Sequence, residues 1–432
     1  MAAMGFLMVV VFMYLIMSKR MSAMVALMLV PIVFALGLGF APQLGKWAFD
    51  GVKQVAPTGI MICFAILYFG VMIDAGLFDP LIKKILQVVH GDPVKVAVGT
   101  AILAAIISLD GDGSTTYMVT CSAMLAVHRR IGLNPLILPS IALMQNSVMN
   151  IIPWGGPTGR VLASLNVEVG DVFVPLIPGM VVGTIWVCFV AYRWGIKERA
   201  RLGILDLDNT AHAEHAAMAE DPEVEKLKRP HLFWANLGLT ALLMFALIKG
   251  LLPLAILFMV GTGLALLINY RTLKEQQDRI IANGANAMPV VSMVFAAGIF
   301  MGVMSGSKMV DAMAKTLIAS IPPELGPHMA LISALVSLPG TFFLTNDAYY
   351  FGVLPVLAKA AAAYGISPAE MGRAALIGQG AHLLSPLVPS TYLLVGLNKV
   401  EFGDLQKYAL LPAIGISVLW LITCILLGYI TP

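Results

Sequence analysis

The chain has 432 residues, of which 59% are hydrophobic and 12% charged, with a formal net charge of +3. So few charges cannot cover a water-soluble surface, where roughly a quarter of residues are ordinarily charged, so lipid is the expected solvent. The small charge and the scattering of basic residues through short connections exclude nucleic-acid binding.

Apolar runs at 4–18, 22–40 and 59–77 open the chain. Each is long or nearly long enough for a hydrocarbon core of ~30 Å, which takes about 20 helical residues. No basic stretch precedes the first run, so it is expected to remain as a helix rather than be cleaved as a signal peptide. Asp74, late in the third helix, is expected to be structural.

The segment 96–127 is apolar but interrupted at 108–116 by S-L-D-G-D-G-S-T-T, with arms of about 15 residues, short for a crossing. Basic residues flank both ends, Lys83, Lys84 and Lys95 on one side and Arg129 and Arg130 on the other, so a re-entrant hairpin fits. Backbone that leaves a helix at membrane depth must be buried in protein or line a wet cavity. Asp110 and Asp112 at such a turn call for a cation, a proton or a partner. The loop lacks the 12-residue ligand spacing of an EF-hand.

Prolines and glycines then break the next helix at N-S-V-M-N-I-I-P-W-G-G-P-T-G-R, 146–160. Asn146, Ser147, Asn150 and Thr158 are thereby free to act as ligands, and Arg160 either pairs a cargo carboxylate or snorkels to the interface. A run at 173–192 closes this half. The connection 193–230 is rich in both signs of charge and, with Lys19, Arg20, Arg271, Lys274, Arg279, Lys399 and Lys407, is assigned to the cytoplasmic side, both termini facing outward. Its H-A-E-H at 212–215 is read as solvated loop rather than metal ligands.

The second half runs through 232–248, 251–269 and 288–304 to a turn at S-L-P-G-T-F-F-L-T-N-D-A-Y-Y, 337–350, in which Asp347 is the one carboxylate beside Thr345 and Asn346. A second break, G-Q-G-A-H-L-L-S-P-L-V-P-S-T at 378–391, carries Gln379, His382, Ser385, Ser390 and Thr391, and a run at 408–430 ends the chain. His382 is the histidine placed at mid-membrane depth and a candidate for proton coupling. At one constant offset along the chain, Pro135, Pro153 and Thr158 match Pro368, Pro386 and Thr391, and V-E-x-G-D recurs at 167–171 and 400–404. An internal repeat with an odd number of crossings per half inverts the second copy, dividing the chain into 1–193, a connecting loop 194–230, and 231–432. Inverted repeats with discontinuous helices are a secondary-transporter architecture that binds cargo where the broken elements meet. Helix N-termini opened there favour an anion.

Carboxylates outnumber the one core cation, Arg160, so an anionic cargo needs another source of positive charge; a hard divalent cation travelling with it would supply that. The four cysteines, Cys63, Cys121, Cys188 and Cys424, lie in apolar runs without metal-ligand spacing and are read as buried thiols. No nucleophile–base arrangement or H-E-x-x-H motif suggests an enzyme.

The runs S-L-D-G-D-G-S-T-T-Y (108–117), N-I-I-P-W-G-G-P-T-G-R (150–160) and T-N-D-A-Y-Y-F-G-V-L-P (345–355) resemble the citrate–metal complex:proton symporters of the ion transporter superfamily. The resemblance covers most of the chain. It implies an all-α polytopic fold with scaffold and mobile transport domain, elevator-like movement and a homodimer. It also implies import of citrate bound to Mg2+ or Ca2+ with protons, across the plasma membrane and without a prosthetic cofactor. Asp110, Gly111, Asp112, Ser114, Thr115, Asn346 and Asp347 then fall at the hairpin tips, and Asn150, Pro153, Gly155, Gly156, Thr158 and Arg160 at the first break. The expected cargo ligands are Ser114, Thr115, Asn146, Asn150, Gly155, Gly156, Thr158, Arg160, Thr345, Asn346, Ser390 and Thr391. Asp110, Asp112, Asp347 and His382 are expected to couple protons or cations, and Asp112 and Asp347 to meet the cargo's metal. A carrier of another organic anion and a Na+/H+ antiporter of the same superfamily are the rival readings.

Overall fold

The computed structural model describes all residues except 90, 205–224 and 250, so the His212 to His215 segment lies outside the described residues. Among those described the chain is helical and contains no strand. Among the described residues seven helices are long and apolar enough to cross a membrane.

The first half contains α1 (Ala2–Met17), α2 (Ala23–Gly37), α3 (Ala41–Asp74), α4 (Asp79–Val89), a hairpin of α5 (Pro93–Ile107) and α6 (Gly113–Arg130), a helix broken into α7 (Ile137–Met149) and α8 (Gly156–Leu165), then α9 (Val169–Phe173) and α10 (Ile177–Leu202). The second contains α11 (Phe233–Ile248), α12 (Leu254–Asn269), α13 (Leu273–Gly306), α14 (Met309–Ser320), a hairpin of α15 (Met329–Phe343) and α16 (Leu354–Ala361), a break between α17 (Pro368–Leu376) with α18 (Gln379–His382) and α19 (Pro389–Asn398), and α20 (Phe402–Leu426). The order of elements recurs, and the offset that relates the paired prolines also carries both ends of α8 onto both ends of α19.

Local chemistry sets the ends of these helices. Asp92 caps α5 through the Val94 N–H at 3.0 Å, Ser367 caps α17 through Glu370, and Thr272 with Glu275 forms a capping box on α13. The run 59–77 proves to be only the second half of α3, which starts at Ala41; likewise 288–304 lies within the longer α13. Both are 34-residue helices with a proline at their seventeenth position, Pro57 and Pro289. At 1.5 Å per residue each is about 50 Å long, more than a bilayer core, so their polar first halves extend past the lipid or tilt. Apolar runs alone cannot reveal such an extension.

α3 and α13 cross at unusually close range because glycines face each other. A Cβ on Gly302 would lie 2.1 Å from the Trp47 carbonyl oxygen, and one on Gly51 2.0 Å from that of Gly298. Gly298, Gly302 and Gly306 recur every four residues, the small-residue spacing that lets membrane helices approach. Asp74 pairs with Arg279 at 3.2 Å and accepts from Asn283 at 3.0 Å, a structural tie between the same two helices.

Two expectations need correction. The first arm of the first hairpin is longer than its apolar run suggests, since the helical run Pro93–Asp110 has 18 residues and could cross a bilayer by length, as could the 21-residue run Pro323–Phe343 of the second hairpin. The extra turns come from a 3-10 segment after α5 and another before α15. Of the four cysteines only Cys121 and Cys424 are buried, whereas Cys63 and Cys188 are half-buried, because lipid accommodates a thiol as readily as a protein core does.

Candidate functional site

The first hairpin turns through a 3-10 segment, Ser108–Asp110, and then Gly111 in the left-handed region at φ 81°. Any side chain on Gly111 would also strike the Trp154 ring, 2.9 Å from the Cβ position, so two independent demands select glycine. Asp112 caps α6: its Oδ2 accepts from the Thr115 N–H at 2.7 Å and the Thr115 hydroxyl at 2.9 Å. Asp110 Oδ1 accepts from the Asp112 N–H at 2.9 Å and is buried, while Asp112, Ser114 and Thr115 remain half-buried.

The first break follows from its prolines and glycines. Gly155 approaches the Asn150 carbonyl so closely that a Cβ would sit 2.0 Å from its oxygen. Thr158 fastens the break on itself, its hydroxyl donating to the Ile151 carbonyl at 2.7 Å. The second break repeats the device, with Thr391 donating to the Leu383 carbonyl at 2.5 Å. Both threonine hydroxyls are therefore engaged by backbone.

Trp154 joins the first break to the first tip. Its indole N–H donates to the Leu109 carbonyl at 2.9 Å, and its ring stacks on Phe69 of α3 and meets Phe258 of α12 edge-on, with centroids 5.3 and 5.0 Å away.

The second tip is tied at more points. Thr345 Oγ1 accepts from the Ala348 N–H at 3.1 Å, opening a π-helical turn over Ala348–Val353. Asn346 Oδ1 accepts from Gln379 Nε2 at 2.9 Å. The carbonyls of Thr341 and Phe342 take bonds from His382 Nδ1 at 2.5 Å and the Ser385 hydroxyl at 2.6 Å. Asp347 Oδ1 accepts from Arg160 Nε at 2.6 Å, and Arg160 also donates to the Gly156 carbonyl at 3.0 Å. Gly156 makes room for the guanidinium, since a Cβ there would be 2.9 Å from Arg160 Nη1. Arg160 is thus engaged by a carboxylate of the protein's own second hairpin. His382 itself is buried. It is not the sole buried histidine: His128, in the last turn of α6, is buried against the Thr100 hydroxyl at 2.9 Å.

The halves interlock. The return arm of the first hairpin, α6, packs on α19 of the second break, and the π turn of the second hairpin packs on α8 of the first. A Cβ on Gly113 would lie 2.8 Å from Asn146 Nδ2 and 3.3 Å from Ser390 Oγ, which puts both breaks beside the first tip. Buried nearby, Asn146 Oδ1, Ser147 Oγ and Gln379 Oε1 have no hydrogen-bond partner. Such groups are costly unless a ligand or water meets them.

Two tyrosines complete the site and were not among the expected residues. Tyr117 accepts from Asn146 at 3.3 Å and Tyr350 from Gln379 at 2.8 Å, all four side chains being buried. The repeat offset carries Tyr117 onto Tyr350 and Asn146 onto Gln379, so it was the signal that could have found them. Among the described residues no three His, Cys, Asp or Glu side chains gather as a metal-binding group.

Hairpin tips and helix breaks from both halves meeting around half-buried polar groups, inside a polytopic helical protein, define a membrane transporter. The solved structures agree in fold: the YdaH transporter of Alcanivorax borkumensis matches 91% of this chain and 89% of its own at 18% identity with a TM-score of 0.62. Neisseria gonorrhoeae MtrF, described as illuminating a class of antimetabolite efflux pumps, matches 90% and 85% at 12% identity and 0.53. The CitMHS citrate transporter model matches residues 12–378, and the chain belongs to that family. A relative in Bacillus subtilis (strain 168) named citrate transporter is 59% identical over 430 residues, covering 100% of this chain and 99% of the relative. Another there, named Mg(2+)/citrate complex secondary transporter, is 48% identical over 431 residues with 100% and 99% covered. The protein is a multi-pass membrane transporter and not an enzyme.

Proposed function

We propose that the protein is a secondary active transporter that imports citrate as its complex with a divalent metal ion, Mg2+ or Ca2+, together with protons. The observation that carries this reading is the end-to-end likeness to the Bacillus subtilis Mg(2+)/citrate complex secondary transporter. The site's chemistry supports it. Hydroxyl, amide and carboxylate oxygens from Asp110, Asp112, Ser114, Asn146 and Ser390 suit a hard cation and its hydroxy acid, while Arg160 is the cation at the breaks.

In this reading residues 1–193 and 231–432 are inverted repeats joined by 194–230. The hairpins and broken helices move as one body against a scaffold built on the α3–α13 pair, in a homodimer, exposing the cargo alternately to the two sides. Asp110, Asp112, Asp347 and His382 are the groups through which protons or cations couple to that movement.

The test is uptake of labelled citrate into proteoliposomes with Mg2+, Ca2+ or chelator outside, under an imposed pH gradient with or without Na+. Uptake that needs the metal and follows the proton gradient is the expected result. Chelator-resistant, Na+-driven uptake, or cation exchange without citrate, would assign the protein to another kind of carrier.

A further inference from the structure

Arg160 and Asp347 come from opposite halves of the chain and meet at 2.6 Å, with 15% and 11% of their side chains exposed. Neither is freely placed. Arg160 is anchored on the Gly156 carbonyl, and the Asp347 tip is held by Gln379, His382 and Ser385 through its neighbours. Asp347 uses only Oδ1 in the pair. The structure thus holds a neutral ion pair, largely withdrawn from solvent, at the seam between the first break and the second hairpin.

The chemistry of such a pair discriminates among ligands. Removing one partner of a desolvated pair leaves an uncompensated charge, a far larger penalty than replacing both together. A free polycarboxylate that takes Arg160 strands the Asp347 carboxylate beside another anion. A free divalent cation that takes Asp347 strands the guanidinium beside another cation. A metal–carboxylate complex satisfies both ions: a carboxylate replaces Asp347 on Arg160, and the released Asp347 faces the metal.

Resting on the citrate–metal reading above, we propose that the Arg160–Asp347 pair is the specificity determinant that makes the carrier select the metal–anion complex over either ion alone, by exchanging one ion pair for two.

The experiment measures equilibrium binding of citrate to the full-length protein in lipid nanodiscs, with excess Mg2+ or with EDTA. The wild type is expected to bind citrate only with metal. D347N, which frees Arg160, is expected to bind metal-free citrate, the metal preference falling about ten-fold or more, while R160Q weakens binding of the complex. Wild-type protein that binds no citrate under either condition would sink the citrate reading and this proposal with it. Metal-dependent wild-type binding with an undiminished metal preference in D347N would overturn this proposal alone. If D347N is not recovered folded, R160Q/D347N removes both charges at once. It is then expected to bind free and metal-bound citrate with similar, poor affinity, and a persisting strong metal preference would again refute the exchange.

Discussion

Gly302→Ala tests whether the α3–α13 contact sets the framework on which the site is hung. The added methyl would lie 2.1 Å from the Trp47 carbonyl oxygen and 3.1 Å from Gly51 Cα, both backbone atoms that cannot swing aside. An ordinary C···O contact is about 3.3 Å or more, so the helices must separate by roughly 1 Å where they cross. Overpacking of this kind costs about 1–3 kcal/mol, against a gain of up to ~1 kcal/mol from replacing a helical glycine by alanine. The net is a destabilisation of up to about 2 kcal/mol. Gly284, on the same helix α13, has nothing within 4 Å of its Cβ position, so Gly284→Ala keeps the propensity gain without the clash. Thermal unfolding of both variants in nanodiscs, followed by tryptophan fluorescence, should place G302A below wild type and G284A at or above it. G302A matching or exceeding G284A would refute the close-approach argument.

Trp154→Phe keeps an aromatic ring on Phe69 but removes the donor to the Leu109 carbonyl; losing about 1 kcal/mol of tip positioning should raise the KM for citrate about three- to ten-fold in an uptake assay, with little change in maximal rate. Tyr350→Phe should impair uptake and stability more than Tyr117→Phe, since Gln379 meets Tyr350 at 2.8 Å while Asn146 meets Tyr117 at 3.3 Å; a reversed order in parallel uptake and melting measurements would contradict the geometry. At the membrane edge, burial pushes the Asp92 carboxyl up, but the Arg199 guanidinium, the Val94 N–H and the Lys95 charge outweigh it and hold it below the usual carboxylate range. A carboxyl lowered on folding stabilises above its unfolded value of about 3.9 and loses that contribution as pH falls through the folded value. D92N should therefore melt below wild type at pH 7, with the gap closing below about pH 4.

The hairpins and breaks were legible because a membrane forbids unpaired backbone in lipid: acids, glycines and prolines inside apolar runs mark the interruptions, and Asp110, Asp112, Arg160 and Asp347 do lie at tips and breaks. The partner of Arg160 was not legible, since the sequence offered a cargo carboxylate or the interface and Asp347 lies 187 positions away. Thr158 and Thr391 show the same limit, because a hydroxyl near a break reads alike whether it faces a cargo or fastens the break, as both do here. The polar first halves of α3 and α13 escaped because hydropathy records lipid contact and not helix length. The Gly298, Gly302 and Gly306 ladder and the Tyr117–Tyr350 correspondence were present in the sequence, the one as small-residue spacing and the other as an offset.

The crossed packing of α6 on α19 and of the π turn on α8 has a consequence for how the protein is made. Ribosomes lay down roughly 5–20 residues each second, so the first hairpin, with Asp110 and Asp112 at its tip, emerges tens of seconds before the segment that will cover it. During that interval the nascent half must hold two acids in a partly built bundle, where charge at the bilayer centre is expensive. If cargo is held between both halves, as proposed, a newly made carrier binds no substrate until synthesis has delivered Pro389–Asn398.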